Sequence, residues 1–476
     1  MPYSLEAHLN QIVYLKSIKS LLSWDQETLM PLESSSFRSE QSALIESLIQ
    51  DRILNAKIGK FLQRPPKSPL EKRQQTLLID DRQKHSLPKE LLEELAKHSV
   101  VSVTSWRISR EKKDFSIFKS DLKKMVKLNQ MVADQLKKGG SRYDALLSFY
   151  DRDLCYKEIE ELFNPLERQI HTVLKEKKFP QHSPIPLKAT IEEQKKICEE
   201  LVQEIAPGSL LASSTHPFCD MLGPQDVRLT TRYNPEDLFE ALFSTMHELG
   251  HALYDQQLPH NLSYPLNQAL SLTVHESQSK LFETCLGGSR EFLDHIYKKC
   301  VTHLKHMPIS MEEMIRSRHS IIPNPIRIDS DEFTYPLHII FRTKIEKQLI
   351  EDELSVDDLP EVFKNYQQSL LGIKIKDDSE GCLQDIHWAA GYFGYFPTYL
   401  TGCMYAADQY NSLKKGLPLS TLLKNGEIEP IRNWLKESIH RHGSCLTLHE
   451  LLMQSTKQPL NSDRYFTYLK ERFLIK

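Results

Sequence analysis

The chain has 476 residues and a formal net charge of −3, with 61 basic and 64 acidic side chains interspersed along it. That balance offers neither a basic stripe for nucleic acid nor a lipid-anchor signal, and no apolar run reaches the roughly eighteen residues that mark a membrane-spanning helix. Eight cysteines, at 155, 198, 219, 285, 300, 382, 403 and 445, form no Cys-x-x-Cys pair and read as reduced structural thiols; with a segment from Met1 to Lys19 that lacks a leader pattern, they predict a cytoplasmic protein.

Glycine is scarce, at 16 residues against a usual share of about 7%, and Leu, Lys, Glu and Ile recur at helical spacing, which predicts an all-α, mainly helical architecture. In chain order, Gln63 to Pro69 reads as a connector, Pro88 to Lys97 as a helix, and Arg110 to Asp114 as a solvated helix face. Lys157 to Leu174 is a helical pattern interrupted by Pro165, and Phe179 to Pro186 carries three prolines before the next helix. Val227 to Arg232 alternates well enough for one short strand. Asn234-Pro235-Glu236-Asp237 then reads as an N-cap, a first-turn proline and two acids that complement a helix dipole. Leu238, Leu242, Met246, Leu249 and Leu253 follow at spacings of three and four, and Phe239 and Phe243 widen the apolar face, so this helix should be buried on most sides. Downstream, Asp331 to Ile350 tolerates Pro336 only in a first turn or at a kink, and Ser355 to Leu371 opens on clustered acids. No internal repeat or low-complexity tract divides the chain, and residues 1–476 are expected to form one domain, two helical walls around a deep cleft.

Inside the buried helix lies His247-Glu248-Leu249-Gly250-His251. At about 3.6 residues per turn the two histidines share a face, the arrangement in which imidazoles hold a metal ion while the intervening carboxylate acts on a water beside it. The bland alternative, two hydrogen-bonded core histidines, leaves the buried glutamate needing a partner. Catalytic zinc usually takes three protein ligands. A His-x-x-Gly-x-x-His continuation is absent, because Tyr254 and Gln257 occupy its glycine and third-histidine positions. Glu276, 25 residues beyond His251, is the expected third ligand, since that span fits a loop and a second helix running back. His275 competes, but neighbouring helix residues point about 100° apart, so one of the pair coordinates while the other faces the cleft or supports a ligand.

Six strings occur in order: His216-Pro217-Phe218, Asp226-Val227-Arg228-Leu229-Thr230, the histidine helix, His275-Glu276-Ser277-Gln278, Ile326-Arg327 through Asp331, and Gly381-Cys382-Leu383-Gln384-Asp385-Ile386-His387-Trp388. In these, and at Trp24-Asp25-Gln26-Glu27, Tyr143 to Leu147 and Phe393 to Pro397, the chain resembles the carboxypeptidase Taq family of zinc carboxypeptidases over nearly its whole length. It departs where Lys280 stands for a usual arginine, Ser330 for a usual alanine, and Pro336 at a position usually not proline; none of these removes a proposed ligand or base. The resemblance implies a small sheet near the cleft, a homodimer, peptide substrates with a free C-terminus, and release of single C-terminal residues with broad side-chain tolerance and poor action beside proline.

The expected cofactor is one Zn2+ per chain on His247, His251 and Glu276, with Co2+ a candidate substitute. Zinc lowers the pKa of water and polarises the scissile carbonyl, while Glu248, close by but uncoordinated, is the expected general base. His387 and Tyr395 are candidate oxyanion donors, and Asp385 is a candidate support for His387 or a ligand, or a helix cap. Recognition of a free carboxylate calls for an arginine fork: Arg327, in a stiff Pro-Asn-Pro-Ile-Arg segment, is preferred over Arg228, although either arginine can instead pair with Asp226, Asp329 or Asp331. His216 is expected, on resemblance alone, to shape the substrate end of the cleft. The alternatives are a zinc-dependent oligoendopeptidase, differing mainly in how the cleft ends, and a noncatalytic helical peptide-binding protein.

Overall fold

A computed structural model describes residues 4–137, 139–177 and 179–473, and helices account for most of them. The chain divides into two compact units, each assembled from separated stretches. The first takes the described residues of Met1–Ser86, Ile185–Ile315 and Tyr405–Pro459; the second takes those of Leu87–Pro184, Arg316–Met404 and Leu460–Lys476. No described helix is long and apolar enough to cross a membrane.

The first unit holds the described strands, β1 (Leu210–Ser213), β2 (Cys219–Gly223) and β3 (Asp226–Thr231), in the order β1-β3-β2. β1 runs parallel to β3, with Leu210 opposite Arg228, whereas β2 is antiparallel, with Cys219 opposite Leu229 and an irregularity between Met221 and Gly223. Val227 and Leu229 are buried and alternate with the more open Asp226 and Arg228, the period expected of a strand. Thr231 ties the end of β3 to the histidine helix, its hydroxyl bonding the Ala241 carbonyl at 3.2 Å and the Ser244 hydroxyl at 2.7 Å.

The histidine helix spans Leu238–Gln257 and starts three residues later than Pro235 suggests. Asn234 accepts from the Glu236 N–H within a turn, and Asp237 is the residue that caps, taking the Phe239 N–H at 3.1 Å. The same Asp237 oxygen takes the Leu187 N–H, so a distant segment fixes which of two good capping residues is used. The helix is apolar nearly all round, with Leu242, Met246, Leu249 and Leu253 among its buried residues. Beside it runs the helix Leu272–Lys280, capped by Ser271 and continued by a π-helical turn, Leu281–Leu286. Gly250 makes the approach possible: a Cβ there would stand 2.3 Å from the Gln278 carbonyl oxygen and 2.6 Å from the Ser279 Cα.

In the second unit, Tyr335–Ile350 forms a deeply buried helix with Pro336 in its first turn, where a missing N–H costs nothing. Tyr156–Glu176 runs unbroken through Pro165, correcting the expected interruption. Ser355 to Leu371 is not one helix: a short turn, the helix Leu359–Tyr366 with a proline in its first turn, and a π-helical turn Gln367–Leu371 follow one another.

Candidate active site

His247 and His251 fall on one face of the histidine helix, and their Nε2 atoms stand 3.2 Å apart. Each ring is oriented from behind. The Nδ1–H of His247 donates to Glu283 Oε2 at 2.8 Å, and that of His251 donates to the His275 carbonyl at 3.1 Å. With both Nδ1 atoms donating, the two Nε2 atoms point into one spot, and as neutral rings the imidazoles would offer both lone pairs there to a cation. Glu276 Oε2 lies 3.9 Å from the first Nε2 and 3.7 Å from the second, and its Oε1 is buried with no partner. Zinc bonds of about 2.0–2.2 Å in a tetrahedral arrangement separate ligand atoms by roughly 3.3–3.6 Å. The three side chains thus fit a metal ion, being the group among the described residues whose ligand atoms lie within 4.8 Å of one another.

Glu283, which the sequence reading passed over, comes from the π-helical turn seven residues beyond Glu276. Lys280 Nζ donates to the same Oε2 at 2.8 Å, so the residue that replaces a usual arginine still presents a cation there. Burial alone would raise the Glu283 carboxyl, but Lys280 and His247 hold it well below the ordinary carboxylate range. A carboxylate on the far side of a ligating imidazole fixes its tautomer and strengthens it as a donor. His275 takes a supporting position: its ring stacks on His251 with centroids 4.2 Å apart, and its Nε2 lies 3.2 Å from Asp255 Oδ1.

Glu248 is 6% exposed. Burial pushes its carboxyl up to about 7, with His247 opposing and Glu276 adding to the rise.

Against known families, residues 4–473 match the family described as Carboxypeptidase Taq (M32) metallopeptidase. The chain belongs to this family. Its M32 relatives include thermostable carboxypeptidase 1 of Pyrococcus furiosus, 32% identical with 96% of this chain and 95% of that protein covered, and carboxypeptidase 1 of Bacillus subtilis, 32% identical with 98% and 96% covered. A solved structure of the Pyrococcus furiosus carboxypeptidase superposes with a TM-score of 0.94 at 31% identity, covering 98% of this chain and 97% of that one. Metallocarboxypeptidase 1 of Trypanosoma cruzi gives 0.92 at 29% identity, with 98% of each chain covered.

The other residues singled out in this M32 chain fall into two groups. In the first unit, Arg228 closes a fork on Asp226, with Nε to Oδ1 at 2.7 Å and Nη2 to Oδ2 at 2.8 Å, the internal pairing weighed from the sequence. His216 is exposed, and its neighbour Phe218 packs on Trp24 with ring centroids 5.3 Å apart. In the second unit, Arg327 and Arg342 share Asp385, at 2.9 and 2.7 Å through their Nε atoms. Gln384 Oε1 takes the Arg327 backbone N–H and Arg342 Nη2. Arg327 lies over the Tyr399 and Phe396 rings. Its Nη1 reaches the Tyr335 hydroxyl at 3.4 Å.

His387 Nε2 meets the Tyr399 hydroxyl at 3.2 Å, while its Nδ1 is buried without a partner. The tautomer that avoids a buried, unpaired N–H carries its proton on Nε2. Burial drives this imidazole down to about 3; Asp385 opposes, and Arg327 and Arg342 add to the fall, so the ring is a neutral donor. Tyr395 stands beside it, ring centroids 5.2 Å apart.

Proposed function

We propose that the chain is a zinc-dependent carboxypeptidase that releases single C-terminal residues from peptides with broad side-chain tolerance. The observation that carries this reading is the pair of imidazole Nε2 atoms facing Glu276, with the buried Glu248 next in sequence to one of the histidines. His247, His251 and Glu276 hold the ion. When bound, zinc acts as a Lewis acid that makes water more acidic and the scissile carbonyl more electrophilic. Glu248 takes the proton of the attacking water and passes it to the leaving amine nitrogen. His387, through Nε2, and the Tyr395 hydroxyl donate to the oxygen that gains charge.

Arg327 binds the terminal carboxylate. Arg228 has both arms of its fork on Asp226, whereas Arg327 commits Nε to Asp385 and makes only a long contact through Nη1. His216 shapes the substrate end. The eight cysteines, free of disulfides, suit a reducing cytoplasm, and the family resemblance supports a homodimer.

The decisive experiment follows one peptide by mass spectrometry as the free acid and as the C-terminal amide, with zinc, with cobalt and with chelator. Stepwise loss from the acid, little from the amide and none with chelator is expected. Internal cleavage of both peptides would make the chain an endopeptidase. Inertness with every metal would make it a noncatalytic binding protein.

A further inference from the structure

Glu346 is a fully buried acid in the helix Tyr335–Ile350, and nothing in the chemistry above uses it. Its carboxylate gathers three donors. Oε1 takes the Trp388 indole N–H at 3.0 Å; Oε2 takes the Gly394 backbone N–H at 3.1 Å and the Tyr143 hydroxyl at 2.9 Å. Two of these partners bracket a nine-residue segment at nearly its ends: Trp388 follows His387, and Gly394 precedes Tyr395.

That segment is poorly held by secondary structure. A single helical turn, His387–Ala390, gives way to Gly391 and Gly394, both left-handed at φ +86°. Gly394 also rests directly on the backbone of the helix Arg142–Leu147, where a Cβ would stand 2.8 Å from the Leu147 N. Burying an acid is expensive, and at this place the return is geometric: one rigid group on a long helix ties both flanks of a loop. The rings those flanks carry, His387 and Tyr395, lie tilted against each other, His387 also tilted on Phe396 and Tyr395 edge-on to Tyr399 and Tyr150.

We propose that Glu346 is a positioning residue for the reaction, setting the separation of His387 and Tyr395 by holding Trp388 and Gly394 on its two carboxylate oxygens. This rests on the assignment of His387 and Tyr395 as oxyanion donors. Glu346 touches neither ring and acts only through the segment between them.

The test compares Glu346→Gln with Tyr143→Phe in the zinc-loaded, full-length protein. An amide has one acceptor oxygen, so Glu346→Gln leaves the donor on one flank facing an N–H; Tyr143→Phe disturbs the same buried cluster but leaves both flanks tied. Both variants should melt lower and keep their zinc. Only Glu346→Gln should lose kcat, by about tenfold or more with KM within about threefold, since misplacement by about 1 Å costs on the order of a hundredfold. Adding Trp388→Phe removes the facing indole N–H and should return part of the kcat of Glu346→Gln. Unchanged kcat in Glu346→Gln, or an equal loss in Tyr143→Phe, would overturn the inference. Failure of the donor assignment has a different signature: His387→Gln and Tyr395→Phe would turn over normally, which overturns both readings together.

Discussion

Glu248 and Glu276 are both buried beside imidazoles, yet their surroundings assign them different work. Glu276 Oε2 faces two imidazole Nε2 atoms at 3.7 and 3.9 Å in the group that could hold a metal ion; Glu248 is outside that group, with its carboxyl raised toward neutrality by burial. Glu248→Gln is therefore expected to retain zinc by metal analysis while kcat falls by about 10²–10⁴. Glu276→Gln should instead lose zinc on dialysis. Glu283 belongs to neither role. Its bond to the His247 Nδ1–H orients that ring, and Glu283→Ala should weaken zinc affinity by about 10–100-fold in a chelator competition. Equal affinity in wild type and variant would mean that the helix alone orients His247. The His-Glu-x-x-His spacing was legible because a helical period puts its members on one face. Glu283 offers no such signal unless the reader first knows that Glu276 is a ligand and then looks two turns along the same face. Glu346 offers none at all, since its partners lie 203 residues before it and 42 and 48 after it.

At the level of elements, periodicity located the helices and misplaced their ends. Asn234 and Asp237 are both good caps, and the Leu187 N–H on Asp237 decides between them; that contact is tertiary and leaves no local trace. Pro165 looked like a break, but a packed helix can carry a proline when burial on either side outweighs one missing bond. The π-helical turn that delivers Glu283 adds one residue to a turn without changing the apolar pattern. Gly250 is the clearest case: nothing local demands a glycine in the middle of a helix, where it costs about 1 kcal/mol against alanine. The second helix demands it, with Gln278 and Ser279 backbone atoms 2.3 and 2.6 Å from where a Cβ would sit. Gly250→Ala must push apart the two helices that carry His247, His251 and Glu276. Its cost is expected to exceed the 1–3 kcal/mol or so typical of overpacking, because backbone rather than a flexible side chain must move, and zinc affinity should fall with stability. A variant with wild-type melting and zinc affinity would show that the helices separate freely.

For the whole molecule, the second unit carries a buried acid whose titration makes stability depend on pH. Burial pushes the Glu346 carboxyl up to about 8, and the three donors from Tyr143, Trp388 and Gly394 only partly offset it. In the unfolded chain the same group titrates near its ordinary value of about 4.5. Below that value both states hold the proton and Glu346 contributes no slope. Between about 4.5 and about 8 the folded protein keeps a proton that the unfolded chain has released, so the native state binds more protons and stability falls as pH rises. Above about 8 both states are ionised and the loss is complete, at roughly 3–5 kcal/mol by linkage. Urea unfolding at pH 5.5 and pH 8.5 should therefore show a lower midpoint at the higher pH, and Glu346→Gln, which cannot titrate, should narrow that difference while remaining the less stable protein at pH 5.5. If the variant keeps the full wild-type difference, the slope belongs to other groups and Glu346 is ionised in both states across this range.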